Sequence, residues 1–199
     1  SDEEGRPLAY RTAIPGDRPE WLAPGLERGA SNIETHKNHP SILLWSVGNE
    51  SYGGKVLSET AAYMRHLDDS RLIHYEGIAN DPRYPDTSDV ESRMYYKPWD
   101  IRNYLNGNPE KPFVGCEYAH SMGNSTGGMK EYQDLLEEYP MYQGSFIWDY
   151  ADQALYRQGT DGQPHLGYGG DFDDVPNNGN FSGNGIVFAD RRPSPEVAE

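Results

Sequence analysis

Short apolar runs alternate along the chain with longer stretches whose apolar residues recur at helical spacing. Ser41-Ile-Leu-Leu-Trp-Ser-Val47 is a short apolar run bounded by Pro40 and Gly48, which predicts a strand buried on both faces, the pattern of parallel sheets. Gly53-Gly54 open the next segment. There Leu57, Ala61 and Met64 fall at i, i+4 and i+7, one stripe of a helix closing near Asp68-Asp69. Leu72-Ile-His-Tyr75 predicts a second strand, Arg93-Met-Tyr-Tyr96 a third, Pro112-Phe-Val-Gly-Cys116 a fourth and Gly144-Ser-Phe-Ile-Trp148 a fifth. Trp99 to Leu105 reads as a short helix. Asn124-Ser125 can cap a further helix carrying Met129, Tyr132 and Leu136 and stopped by Pro140. Residues 1–24 read as polar loop, and Trp21 to Lys37 as a helix weakened by Gly25 and Gly29. Residues 77–90 are rich in Asp, Pro and Asn, hence loop. Residues 158–185 show little periodicity, but the aromatics Tyr168, Phe172, Phe181 and nearby Phe188 point to an ordered loop rather than a linker.

Strands alternating with amphipathic helices predict an α/β fold of right-handed βαβ units on a parallel sheet. No internal repeat is visible. Five strands suit either an open doubly wound sheet or part of an eight-stranded barrel.

Composition narrows the function classes. The 199 residues amount to one domain, or one large piece of a protein. Aromatics reach 12%, with 15 Tyr and 4 Trp, which argues against disorder. They also suit sugar binding, because a pyranose presents an apolar C–H face to an aromatic ring; core packing is the plainer use. The net charge of −15 makes nucleic acid and anionic membranes poor partners. Cys116 is the one cysteine, so no internal disulfide forms, which fits a cytoplasmic setting. No apolar run approaches the ~20 residues of a membrane span, and SDEEGRPLAY lacks the signal-peptide pattern.

Polar residues crowd the strand ends. The first strand runs into Gly48-Asn49-Glu50-Ser51, the fourth into Glu117-Tyr118-Ala119-His120, the fifth into Asp149-Tyr150. In α/β barrels the active site lies at the C-terminal ends of the strands. Two carboxylates there, Glu50 and Glu117, can face each other across a barrel mouth. Glycoside hydrolysis needs such a pair, separated by about 5–5.5 Å for retention or roughly 6.5–9.5 Å for inversion. Taken alone, each has a structural alternative: Glu50 can cap the following helix, and Glu117 can pair with a lysine or arginine.

Longer motifs add to this. HPSILLWSVGNES, residues 39–51, resembles the acid/base motif of glycoside hydrolase family 2. KPFVGCEYAHSMGNSTGG, residues 111–128, resembles the nucleophile motif of the β-galactosidases in that family. QGSFIWDYADQAL (143–155), YGGDF (168–172) and NGIVFADR (184–191) continue the likeness in order. The resemblance implies Glu50 as acid/base and Glu117 as nucleophile of a retaining exo-β-galactosidase acting on terminal β-D-galactosides such as lactose. It implies that Asn49, Tyr95, Tyr118, Ala119, His120 and Trp148 bind the sugar: Asn49 at the 2-hydroxyl, Tyr95 beside the nucleophile, Trp148 as a floor. It implies a (β/α)8 TIM barrel of which the five strands match strands four to eight. Such a barrel takes about 250 residues, so this chain reads as a partial barrel of a larger enzyme. Its expected parts are a leading loop and helix (1–38), strand/helix repeats (39–157) and a terminal active-site loop (158–199).

The resemblance also implies Mg²⁺ and Na⁺. Glu50 would contact Mg²⁺ and Asn177 a second Mg²⁺, while the Phe181 carbonyl and Asn184 would hold Na⁺; these oxygen donors suit hard cations. Turn chemistry is the structural use of Asn177 and Asn184. Asn32-Ile-Glu-Thr-His36 looks like a family metal-site segment, but it leads straight into Lys37-Asn-His-Pro40 and reads as a coincidental helical stretch. A β-galactoside substrate and a homo-oligomeric parent are expected. The alternatives are a β-glucuronidase, which needs a cationic pocket, or another family 2 glycosidase, or a non-catalytic carbohydrate-binding or assembly segment.

Overall fold

The computed structural model describes residues 12–123, 126–179 and 181–195. In chain order the main elements are α1 (Leu22–His36), β1 (Leu44–Ser46), α2 (Lys55–Leu67), β2 (Leu72–His74), β3 (Glu91–Met94), α3 (Pro98–Asn106), β4 (Phe113–Tyr118), α4 (Met129–Glu138) and β5 (Tyr142–Ile147). Two more strands follow, β6 (Leu155–Gln158) and β7 (Pro164–Gly167). Within their sheets the strands β1 to β5 pair in parallel, with helices in the β1–β2, β3–β4 and β4–β5 links, as the alternating pattern predicts; the β2–β3 link is the expected loop with two short 3-10 turns.

The parallel strands form two sheets, β1-β2 and β3-β4-β5. Side chains stitch the seam between them. Ile73 N–H donates to the Asp89 carboxylate at 2.6 Å, and Asp89 N–H donates back to the Ile73 carbonyl. His74 Nδ1 lies 3.0 Å from Ser46 Oγ on β1, and its Nε2 lies 2.8 Å from Ser92 Oγ on β3. The imidazole thus spans three strands, buried, where a polar ring needs partners at both nitrogens.

Apolar residues close two main cores. Ile33, Trp45, Ala61, Met64 and Ile73 join α1 and α2 to β1 and β2. Ile101, Leu105, Phe113, Leu135 and Tyr142 join α3 and α4 to β4 and β5. The glycines that lower the helical propensity of α1 are its contact face. A Cβ on Gly29 would lie 3.0 Å from Met64 Cγ, and one on Gly25 would lie 2.8 Å from Thr60 Oγ1, both on α2. A propensity cost of about 1 kcal/mol per glycine is exchanged for close helix–helix approach.

Several sequence expectations need correction. β1 is not buried on both faces. Only Trp45 is, and Leu43 just before it is 79% exposed, because one edge of β1 has no paired strand among the described residues. β3 lies two residues earlier than predicted, and β4 runs through Glu117 to Tyr118 rather than stopping before it. On α4 the buried residue is Leu135, and Leu136 is exposed. The cap expected at Asn124-Ser125 lies outside the described residues; Gly128, in the left-handed region, occupies the N-cap. The 158–185 loop is an antiparallel hairpin, β6-β7, over its first part. Asn32–His36 lies on α1, with Ile33 buried and Glu34 paired with Lys37, as a helical stretch should.

Candidate active site

The strand exits converge through backbone contacts. β1 and β2 leave together, with Val47 N–H donating to the His74 carbonyl. Tyr95, just past β3, donates its N–H to the Glu117 carbonyl at 2.8 Å, and Trp148, just past β5, donates its N–H to the Tyr118 carbonyl at 2.9 Å. Three of these exits carry non-glycine residues in the left-handed region: Glu50 (φ 52), Tyr95 (φ 56) and Ala119 (φ 54). Each costs about 1–2 kcal/mol relative to ordinary backbone. Such residues cluster where side chains must be aimed rather than packed.

A side-chain bond ties two of these exits together: the Tyr95 hydroxyl donates to Glu117 Oε2 at 2.7 Å. Burial, and then the Glu117 carboxylate, hold that phenol well above its usual range, so it remains a donor. His120 lies edge-on to Tyr95 at 6.0 Å between ring centroids, and 5.5 Å from Phe181. Glu50 and Glu117 share neighbours: Tyr95 and Glu76 each feel the charge of both. Tyr95, Glu117, His120 and Phe181 therefore form one group, with Glu50 on its β1 side.

Glu76 was not singled out from the sequence. It follows β2, is 8% exposed, and accepts the Glu50 N–H on Oε1. Burial, and then the charges of Glu50 and Glu117, raise its carboxyl pKa, while the Glu50 N–H opposes that rise. The rule that flagged Glu50 and Glu117, a carboxylate straight after a strand, finds Glu76 as well. In the sequence Glu76 runs straight into the Asp/Pro/Asn-rich loop, which obscures it.

The other expected sugar-binding residues divide. Asn49 is exposed on the loop after β1, where its carbonyl accepts the Ser51 hydroxyl. Trp148 sits at the β5 exit with a buried indole N–H that lacks a partner. Tyr118 goes elsewhere: strand alternation turns it away from Glu117, and its ring packs on Tyr132 of α4 at 4.6 Å. Ala119 contributes a backbone bend. Cys116 is half-buried, and burial pushes its thiol up to about 11. It has the character of a structural residue.

The candidate cation ligands also differ. Asn184 is fully buried, and neither amide atom has a hydrogen-bond partner. Its backbone carbonyl accepts the Asp149 N–H, which locks it beside the β5 exit. A buried amide oxygen left without a donor fits a hard cation. Asn177 is different: its amide donates to the Asp174 carbonyl and accepts the Gly179 N–H, the turn use of asparagine. Among the described residues no group of three or more His, Cys, Asp or Glu side chains could hold a metal ion. Glu50 offers one carboxylate toward a divalent ion, not a full ligand set.

Residues 4–199 match the family described as glycosyl hydrolases family 2, TIM barrel domain. Over 186 residues the chain is 53% identical to the β-galactosidase of Halalkalibacterium halodurans, covering 94% of this chain and 18% of that protein. Over 189 residues it is 55% identical to the β-galactosidase large subunit of Leuconostoc lactis, covering 94% of this chain and 30% of that one. It thus spans less than a third of the length of either relative. The β-glucuronidase of Ruminococcus gnavus superposes on 90% of this chain, and on 35% of its own, with a TM-score of 0.58 at 20% identity, a likeness that shows fold alone. The ordered motifs, the parallel strands and helices, and the match over nearly the whole length lead to one assignment: the chain belongs to glycoside hydrolase family 2 and matches its TIM-barrel domain.

Proposed function

We propose that this chain carries the catalytic carboxylates of a retaining exo-β-galactosidase and forms strands four to eight of its barrel. The observation that carries the reading is the 2.7 Å bond from Tyr95 to Glu117, made within reach of the Glu50 charge. The relatives at 53–55% identity bear the name β-galactosidase, which supports the substrate class.

In the first step a Glu117 oxygen attacks the anomeric carbon. The glycosidic C–O bond breaks, and the aglycone oxygen leaves with the proton of Glu50. In the second, water attacks the galactosyl ester, gives its proton to Glu50, and Glu117 departs as carboxylate. Tyr95 holds one Glu117 oxygen so that the other points at the sugar. His120 and Trp148 offer an imidazole and an indole face to the ring, and Asn49 an amide to its 2-hydroxyl. Asn184 and the Phe181 carbonyl would hold Na⁺, and Glu50 would take part in a Mg²⁺ site whose other ligands lie outside the described residues. Bound there, the cations would supply positive charge beside the sugar hydroxyls and the acid/base carboxylate. Asn177 suits a peripheral Mg²⁺ less well, since both ends of its amide are engaged.

A uronate-binding pocket finds little support. Arg93, on β3, is paired with Glu91 and donates to the Ser92 carbonyl, so its guanidinium is already engaged. The test uses the full-length protein. Incubation with a 2-deoxy-2-fluoro-galactoside bearing a dinitrophenyl leaving group should label Glu117, and Glu117→Gln should abolish both labelling and turnover of aryl β-galactosides. Undiminished labelling of that variant, or preference for a β-glucuronide, would overturn the reading.

A further inference from the structure

Glu50 is exposed, and among the described residues no hydrogen bond or ion pair fixes its side chain. What fixes the point from which its side chain reaches out, the Cα–Cβ direction, is therefore its backbone, which is in the left-handed region at φ 52. A non-glycine residue persists there only where its surroundings impose it. The contact on that backbone is the Glu76 carboxylate, which accepts the Glu50 N–H. Glu76 is well placed for this. β1 and β2 pair in parallel with Ser46 opposite His74, so the two chains leave the sheet side by side, and Glu76 comes two residues beyond that pairing. At 8% exposure it is more deeply buried than carboxylates usually are without a structural partner. A carboxylate also accepts an N–H more strongly than a neutral oxygen does.

We propose that Glu76 is the positioning residue for Glu50, holding by this hydrogen bond the backbone turn that aims the acid/base carboxylate. The proposal rests on the reading of Glu50 as acid/base. It assigns Glu76 no contact with substrate.

The test compares Glu76→Gln, which keeps an acceptor oxygen, with Glu76→Met, which keeps size and loses the acceptor, both in the full-length protein. Turnover is expressed per site labelled by the fluorosugar, so unfolded protein does not enter the result. Protonation of the leaving group matters for alkyl galactosides and hardly at all for the dinitrophenyl galactoside. If Glu76 acts through Glu50, E76M loses at least about tenfold in kcat/KM on alkyl galactosides, as expected for a lost bond to a charged acceptor. It changes little on the dinitrophenyl substrate, and E76Q recovers most of the loss. An equal loss on both substrates, no loss at all, or a loss in E76Q as large as in E76M would overturn the proposal. Glu50→Ala is run alongside. If it too shows no leaving-group dependence and no acceleration by azide, the assignment of Glu50 fails and Glu76 falls with it. If E50A behaves as an acid/base variant while E76M loses uniformly, only the Glu76 proposal fails.

Discussion

Tyr95 and Asn184 pose opposite problems of satisfaction. The Tyr95 phenol has a strong partner in Glu117, and burial keeps it protonated. Hydrogen bonds to charged groups are worth about 1.5–3 kcal/mol, so Tyr95→Phe should lower kcat by roughly 10–150-fold with a smaller change in KM. The rate of Glu117 labelling by the fluorosugar should fall in step; labelling at the wild-type rate would mean that Tyr95 does not act through Glu117. Asn184 has no partner for either amide atom despite complete burial. Leaving such a group unpaired costs on the order of 1–3 kcal/mol. If Na⁺ supplies the missing partner, the Tm of the full-length protein should rise when K⁺ is exchanged for Na⁺. Asn184→Leu should remove that response while matching or exceeding the wild-type Tm in K⁺. Equal responses to Na⁺ in the two proteins would exclude Asn184 as a ligand.

At the level of elements, the seam between β2 and β3 depends on His74. Burial pushes its imidazole down to about 4, against an ordinary value near 6.5. The folded chain therefore binds that proton less tightly than the unfolded chain does. Above pH 6.5 both states are neutral there and stability is unaffected. As pH falls from about 6.5 toward 4 the unfolded state alone gains the proton, and up to roughly 3 kcal/mol is lost. His74→Gln should be less stable at pH 7.5 yet decline less between pH 6.5 and 4; urea midpoints at pH 7.5 and 5 measure both. Equal declines would show that His74 is not the titrating group. The same seam shows what could be read from the sequence. The five parallel strands follow from short apolar runs, and the four helices are anticipated between and before them, two of them from apolar residues at helical spacing. The Glu50 and Glu117 positions follow because a strand end is a place, not a contact. What the sequence left hidden depends on partners distant along the chain: the His74–Ser92 bridge, the Glu76 bond to Glu50, the turning of Tyr118 toward Tyr132. The β6-β7 hairpin is masked in the sequence, where Pro164 opens one strand and Asp161-Gly162 forms a turn inside a stretch already rich in such residues.

For the molecule as a whole, the decisive feature is the pair of sheet edges. Among the described residues β1 pairs only with β2, and β5 only with β4, so the parallel array does not close on itself. Apolar residues accompany both edges: Leu43 beside β1 is 79% exposed, and Phe146 on β5 is 62% exposed. Open edges bearing apolar side chains are templates for further strands. On the proposed reading a closed barrel of eight strands would supply them; the relatives are more than three times the length of the matched region. The same gap bears on chemistry. Glu50 follows β1 and Glu117 lies near the end of β4, and a closed barrel would fix their spacing; if they act as the proposed catalytic pair, they must be held to within about half an ångström. The 199-residue chain on its own should therefore turn over aryl β-galactosides at least about 10³-fold more slowly than the full-length protein. It should also bind an apolar dye and self-associate at micromolar concentration, since its net charge of −15 opposes association without covering the edges. Sedimentation, dye fluorescence and a turnover assay on both proteins decide the matter. A monomeric, dye-silent chain with full-length activity would show that β1 to β5 form a self-sufficient catalytic unit. A chain that associates, binds dye and does not turn over substrate would place the remaining strands among the structural requirements of the Glu50–Glu117 pair.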